Sequence, residues 1–126
     1  MGESYRNLKV WQRSIELSVA IYKLTRNFPA EELYGLTSQL RRASVSVASN
    51  LAEGYGRASR PEFRRFAAMA RGSVLEIQTQ LIIARELELS GSAQLQPAQN
   101  LAEETGKMLW ALMEKLNGER RLIPEA

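Results

Sequence analysis

The sequence predicts an all-α chain, an antiparallel up-down-up-down four-helix bundle, and three observations carry that prediction. Four long stretches repeat apolar residues at steps of three and four, no stretch alternates as a half-buried strand does, and short turn-forming segments separate the four. Short loops between long helices favour antiparallel neighbours. The 126 residues fit one domain, 1–126, long enough to bury a core without disulfides or metals.

The first helix reads over residues 7–27, with Leu8, Trp11, Ile15, Val19 and Tyr22 stepping along it. Phe28-Pro29 stops it, because the residue before proline is pushed out of helical geometry. One helical turn fits residues 30–34, and Gly35 breaks the path. The second helix reads over 36–54, with Leu40, Ala43, Val47 and Leu51 on its apolar face; residues 55–58 are loop-like. Ser59-Arg60-Pro61-Glu62 has the form of a capping box, in which Ser59 caps and Glu62 reaches back; proline in that turn lacks only an N–H that no helical carbonyl awaits. The third helix, 60–89, carries Phe63, Phe66, Ala70, Val74, Ile77, Leu81 and Ala84 as a nearly unbroken seam. Ser90-Gly91-Ser92 ends it. Mid-helix Gly72-Ser73 is expected to admit close approach of another helix. The fourth helix, 93–117, turns Leu101, Thr105, Met108, Leu112 and Leu116 inward, Gly118 ends it, and the last few residues read as an unstructured tail.

Composition narrows the chemistry. The chain is 44% hydrophobic and 25% charged, ordinary for a folded domain and too apolar for disorder. It has no Cys and no His, so disulfides, thiolate metal sites, the commonest general base and the usual activator of a serine nucleophile are all missing. All 14 acids are Glu; without Asp, metal-dependent phosphoryl transfer is poorly supplied too. No catalytic residue, metal ligand or cofactor site is expected. The polar start lacks the apolar stretch of a signal peptide, and Arg6 stands where a myristoylation signal has Ser or Thr. No run approaches the roughly 18 apolar residues of a membrane span, so a cytoplasmic protein with no membrane partner is expected.

Charge is unevenly spread. Arg41, Arg42, Arg57, Arg60, Arg64, Arg65 and Arg71 face only Glu53 and Glu62 in that stretch, a net +5, whereas the remaining residues sum to −2. Arginine's planar fork suits bidentate phosphate binding. At 100° per residue Arg60, Arg64 and Arg71 fall within about 40° of one another, a basic line beside the core seam. Three readings stay open: a solvated face paired with glutamates, a phosphate-binding surface, and protein contacts. Tyr55 is the one obvious aromatic nearby, so nucleic-acid binding is expected to be backbone-led, salt-sensitive and weakly sequence-specific.

Further along that flank come Leu75, Ile82 and Leu89, so a stripe that begins cationic turns apolar. An apolar flank beside an already complete seam points to burial against another subunit; the alternative is packing on both neighbours within one bundle. On the second helix Gln39, Arg42, Ser46, Asn50 and Glu53 also recur at three and four. A polar stripe beside the apolar face is expected to hydrogen-bond between helices and set their register.

Longer stretches are more specific. Leu33-Tyr34-Gly35-Leu36-Thr37-Ser38-Gln39-Leu40-Arg41-Arg42-Ala43, then Val45-Ser46-Val47 and Ser49-Asn50-Leu51-Ala52-Glu53-Gly54-Tyr55-Gly56-Arg57, closely resemble the four-helix bundle proteins first met as open reading frames in 23S ribosomal RNA intervening sequences. Leu8-Lys9-Val10-Trp11, Ala70-Arg71-Gly72-Ser73, Leu75-Glu76 and Gln80-Leu81 continue the match, while Ala48 stands where that family often has proline. The resemblance implies a homopentameric ring of bundles. It also implies kinship with the accessory variability protein of diversity-generating retroelements, a basic pentamer that binds nucleic acid and a reverse transcriptase. Carried over residue by residue, it makes Arg41, Arg42, Arg57, Arg60, Arg64 and Arg71 the polyanion surface, and Gln39, Asn50 and Glu53 structural.

Overall fold

The computed structural model describes residues 4–121, with side chains through 117, so Met1 to Glu3 and the tail beyond Arg121 lie outside the described residues. Four α-helices occupy them: α1 (Lys9–Thr25), α2 (Ser38–Gly56), α3 (Arg60–Glu86) and α4 (Ser92–Arg121). Each packs on its sequence neighbours, and α4 closes back on α1. The result is an up-down-up-down four-helix bundle in which the α1/α2 and α3/α4 faces lie on opposite sides.

The core is a column of Leu17, Ile21, Leu40, Leu51, Ile77, Leu81, Leu95 and Leu109, each with no exposed surface. Such burial stabilises by roughly 2 kcal/mol per side chain. The expected seams of α2 and α3 are buried, apart from half-buried Phe63. α1 differs. Its inward stripe is Val10, Ser14, Leu17, Ile21 and Leu24, whereas Ile15, Val19 and Tyr22 stay 39–47% exposed. Two apolar stripes share this helix, and periodicity cannot rank them. Polar groups enter the inner one because each hydroxyl is satisfied within its own helix: Ser14 Oγ donates to the Val10 carbonyl at 2.7 Å, and Thr25 Oγ1 to that of Ile21 at 2.8 Å. On α4, Leu95, Ala98, Ala102, Thr105, Leu109, Met113 and Leu116 are buried, while Leu101, Met108 and Leu112 are half-buried.

The connections differ in instructive ways from what local residues suggest. After α1 the chain closes a turn at Phe28, which is buried, and makes one tight turn at Ala30–Glu32. A wide turn over Leu33–Thr37 follows, interrupted at Gly35 (φ −112°, ψ −114°), and the Glu32 carboxylate accepts the Leu36 N–H at 3.2 Å. At α3, Ser59 Oγ accepts the Glu62 N–H at 3.2 Å, but the Glu62 carboxylate turns forward to Arg65. Half the capping box forms. α3 ends at Glu86, three residues before the expected stop. Glu88 adopts the left-handed conformation (φ 57°), its N–H donates to the Arg85 carbonyl, and the Leu89 N–H donates to that of Ala84. This is a Schellman stop with glutamate where glycine is usual. α2 runs unbroken past buried Ala48, and α4 runs past Gly118, so that glycine does not end the last helix.

Candidate functional site

A close helix contact lies where α2 meets α3. A Cβ on Gly54 would sit 2.5 Å from Phe66 Cβ, so only glycine permits this approach. It brings the end of α2 and the start of α3 together and collects arginines there. The Arg57 and Arg65 guanidinium carbons lie 5.0 and 4.7 Å from the centroid of the buried Phe66 ring. Arg57 also pairs with Glu53 at 3.0 Å, and Arg65 with Glu62 at 3.2 Å. The Arg65 hydrogen bond, then its charge and that of Arg57, hold the Glu62 carboxyl below the usual glutamate range; the same bond and charge raise the Arg65 guanidinium. These pairs are exposed, and such pairs add little to stability.

Beside this corner, α4 passes antiparallel to α3 and brings Lys115 across from Arg60. Leu8, Arg57, Ala58, Ser59, Arg60, Phe63, Leu112, Lys115 and Leu116 line a cleft of about 440 Å³ that gathers three cations, of which Arg57 is already paired with Glu53. Farther along α3, Arg64 Nε donates to the Met113 carbonyl at 3.3 Å, and Arg71 stacks on Trp110 with 4.9 Å to the ring centroid. The α3/α4 groove continues past Leu75, Gln78 and Ile82 against Gly106 and Trp110. At Gly106 in this groove a Cβ would meet Val74 Cγ1 at 3.4 Å, an ordinary contact distance. Gly72 meets nothing within 4 Å, so the expected close approach at that glycine is not found; Ser73 alone contacts the neighbouring helix.

The seven arginines do not form one patch. Arg41 and Arg42 begin α2, and 15 residues separate Arg42 from Arg57, about 22 Å along the helix. Arg41 is held against α1, Nε donating to Thr25 Oγ1 at 2.9 Å and the guanidinium 4.7 Å from the Tyr22 centroid. The polar stripe of α2 divides as well. Ser46 Oγ donates to Ser73 Oγ at 2.6 Å, and Gln39 Oε1 accepts from Gln80 Nε2 at 3.2 Å, both across to α3. Asn50 donates back to the Ser46 carbonyl of its own helix, and Glu53 engages Arg57.

Of the apolar flank, Leu75 and Ile82 are 47% and 46% exposed. Leu89 is not part of it: the Schellman stop carries it beyond the helix and turns it onto the core. Trp110, 49% exposed, occupies the place beside Leu75 instead. Neither Trp110 nor Lys115 was legible as a site residue, because both sit on α4 and join the arginines only through antiparallel packing. Among the described residues no group of three or more acids could hold a metal ion, and no helix is long and apolar enough to cross a membrane.

Comparison with known proteins adds a family and a related fold. A family model described as 23S rRNA-intervening sequence protein matches residues 6–111. A solved structure of a protein of unknown function from the S23 ribosomal protein family of Bacteroides thetaiotaomicron VPI-5482 superposes with a TM-score of 0.75 at 23% identity. The match covers 83% of this chain and 98% of that one. No curated protein matches.

Proposed function

The chain belongs to the 23S rRNA-intervening sequence protein family, and from that premise we propose a non-enzymatic, oligomeric accessory protein that binds the backbone of RNA or DNA. The observation that carries this reading is the convergence of Arg57, Arg60 and Lys115 on one cleft at the α2–α3 corner. Arg64 and Arg71 extend it along α3, while Arg41 and Arg42 stand apart at the other end. Cations on rigid helices, with few aromatics between them, attract phosphates irrespective of base. Cytoplasmic nucleic acid is the polyanion this reading requires.

Fluorescence anisotropy with a labelled RNA duplex tests it. Affinity is expected to fall steeply between about 50 and 200 mM salt. Arg57→Gln, Arg60→Gln and Lys115→Gln together should flatten the log–log salt dependence by about 0.9 per lost contact and weaken all sequences alike. No binding to RNA or DNA at low salt, or an unchanged slope in the triple variant, defeats the proposal.

A second observation favours assembly. The α3/α4 face exposes Leu75, Ile82 and Trp110, and the opposite α1/α2 face exposes Ile15 and Val45 beside small Ala48, Ser49 and Ala52. Bulky groups on one side and a shallow apolar groove on the other suit head-to-tail contact between copies, which closes into a ring when the rotation allows. Five copies is the number implied by the resemblance to the intervening-sequence proteins. The same apolar faces would serve a protein partner such as a reverse transcriptase, and recovery of one after nuclease treatment would favour that alternative over nucleic-acid binding.

A further inference from the structure

The opposite end of the bundle carries a second cleft, about 410 Å³, lined by Tyr22, Leu33, Tyr34, Thr37, Ser38, Arg41 and Arg42. Tyr34 is 93% exposed, the most exposed large hydrophobic side chain among the described residues. It is presented on an anchored segment. Phe28 is buried on one side of it and Thr37 on the other, and the Glu32 carboxylate caps the Leu36 N–H across the turn. The non-helical backbone at Gly35 separates this turn from α2, and a Cβ there would press to 3.1 Å of the capping Glu32 oxygen. Behind the ring, Arg41 is fixed on Tyr22 and Thr25, whereas Arg42 is exposed and makes no ion pair among the described residues.

We propose that Tyr34 and Arg42 form a binding site for single-stranded nucleic acid, Tyr34 stacking on an unpaired base and Arg42 engaging the adjoining phosphate. A ring held in water has a free face for a base, and every base has a π-face to meet it. Two arginines and no acid line this cleft, which suits the backbone. A protein-binding hot spot would instead seat its aromatic in a desolvated apolar centre, and here four of the seven lining residues are Thr, Ser or Arg. A base in a duplex offers no free face, so this site discriminates single strands from duplexes where the α2–α3 corner does not.

The inference rests on the nucleic-acid reading above, and the test separates the two. Anisotropy is measured at fixed low salt with a labelled 12-nucleotide oligouridine and a 12-base-pair RNA duplex. Tyr34→Ala is expected to weaken the oligouridine about tenfold and leave the duplex unchanged, while Tyr34→Phe keeps both. Arg42→Gln is expected to lower the oligouridine salt slope by about one contact. Circular dichroism confirms that each variant folds, which the exposure of both side chains favours. An unchanged oligouridine affinity in Tyr34→Ala, or an equal loss on the duplex, overturns this site and leaves the corner cleft standing. Absence of binding by the wild type to either probe removes both.

Discussion

At the scale of single residues, Glu88 is the most informative position. A side chain in the left-handed region costs about 1 kcal/mol or more, because its Cβ crowds the following carbonyl. The fold accepts this at Glu88 because the two capping bonds to Ala84 and Arg85 form only with that backbone, and they swing Leu89 onto the core. Glu88→Gly should therefore raise unfolding free energy by about 1 kcal/mol, read from urea melts at one protein concentration. A loss of stability would mean that the Glu88 side chain contributes more than its backbone strain removes. Leu89 also illustrates how far one backbone angle reaches, since that turn takes a residue off a helix flank and packs it, half-buried, against the core.

At the scale of elements, two glycines on adjacent helices behave in opposite ways. Gly54 faces the Cβ of Phe66, an atom that cannot rotate away, so Gly54→Ala should destabilise by about 1–2 kcal/mol despite the better helix propensity of alanine. Gly72 opens to space, so Gly72→Ala should stabilise by up to about 1 kcal/mol. Thermal or urea unfolding of the pair checks both signs, and equal shifts would contradict the α2–α3 geometry. The same closeness explains why Ser46 and Ser73 meet at 2.6 Å: small side chains let the backbones approach, and half-buried hydroxyls then bond each other. Gly54 lies inside the segment that resembles known intervening-sequence proteins, where its role as a contact surface is invisible without its partner Phe66.

At the scale of the whole molecule, the expected behaviour is assembly through opposite faces. Ile82→Glu on α3 should convert an oligomer to smaller species in multi-angle light scattering, and Val45→Glu on α2 should do the same although it lies across the bundle. A charge buried at either face loses its hydration without a partner. Wild-type protein that stays monomeric at micromolar concentration would end the ring reading, and loss from one variant alone would replace head-to-tail contact with a two-fold interface. In a ring, the corner clefts of successive copies would repeat the positive charge, which strengthens attraction for a polyanion beyond that of one chain.

By itself the sequence determined the class of fold, because apolar spacing of three and four recurs four times and glycine, proline and serine punctuate it. It determined the inward faces of α2 and α3, where a single apolar stripe leaves no choice, and the chemistry withheld from a chain without His, Cys or Asp. Only the tertiary structure decided between the two stripes of α1, since both have helical spacing and burial depends on which neighbour arrives. It also divided the arginines into two ends about 22 Å apart and brought Lys115 to one of them. At the other end it left Tyr34 in water. Spacing along one helix reports angle around its axis. Which residues of other helices share that angle and height is set by packing, and that is where both candidate sites arise.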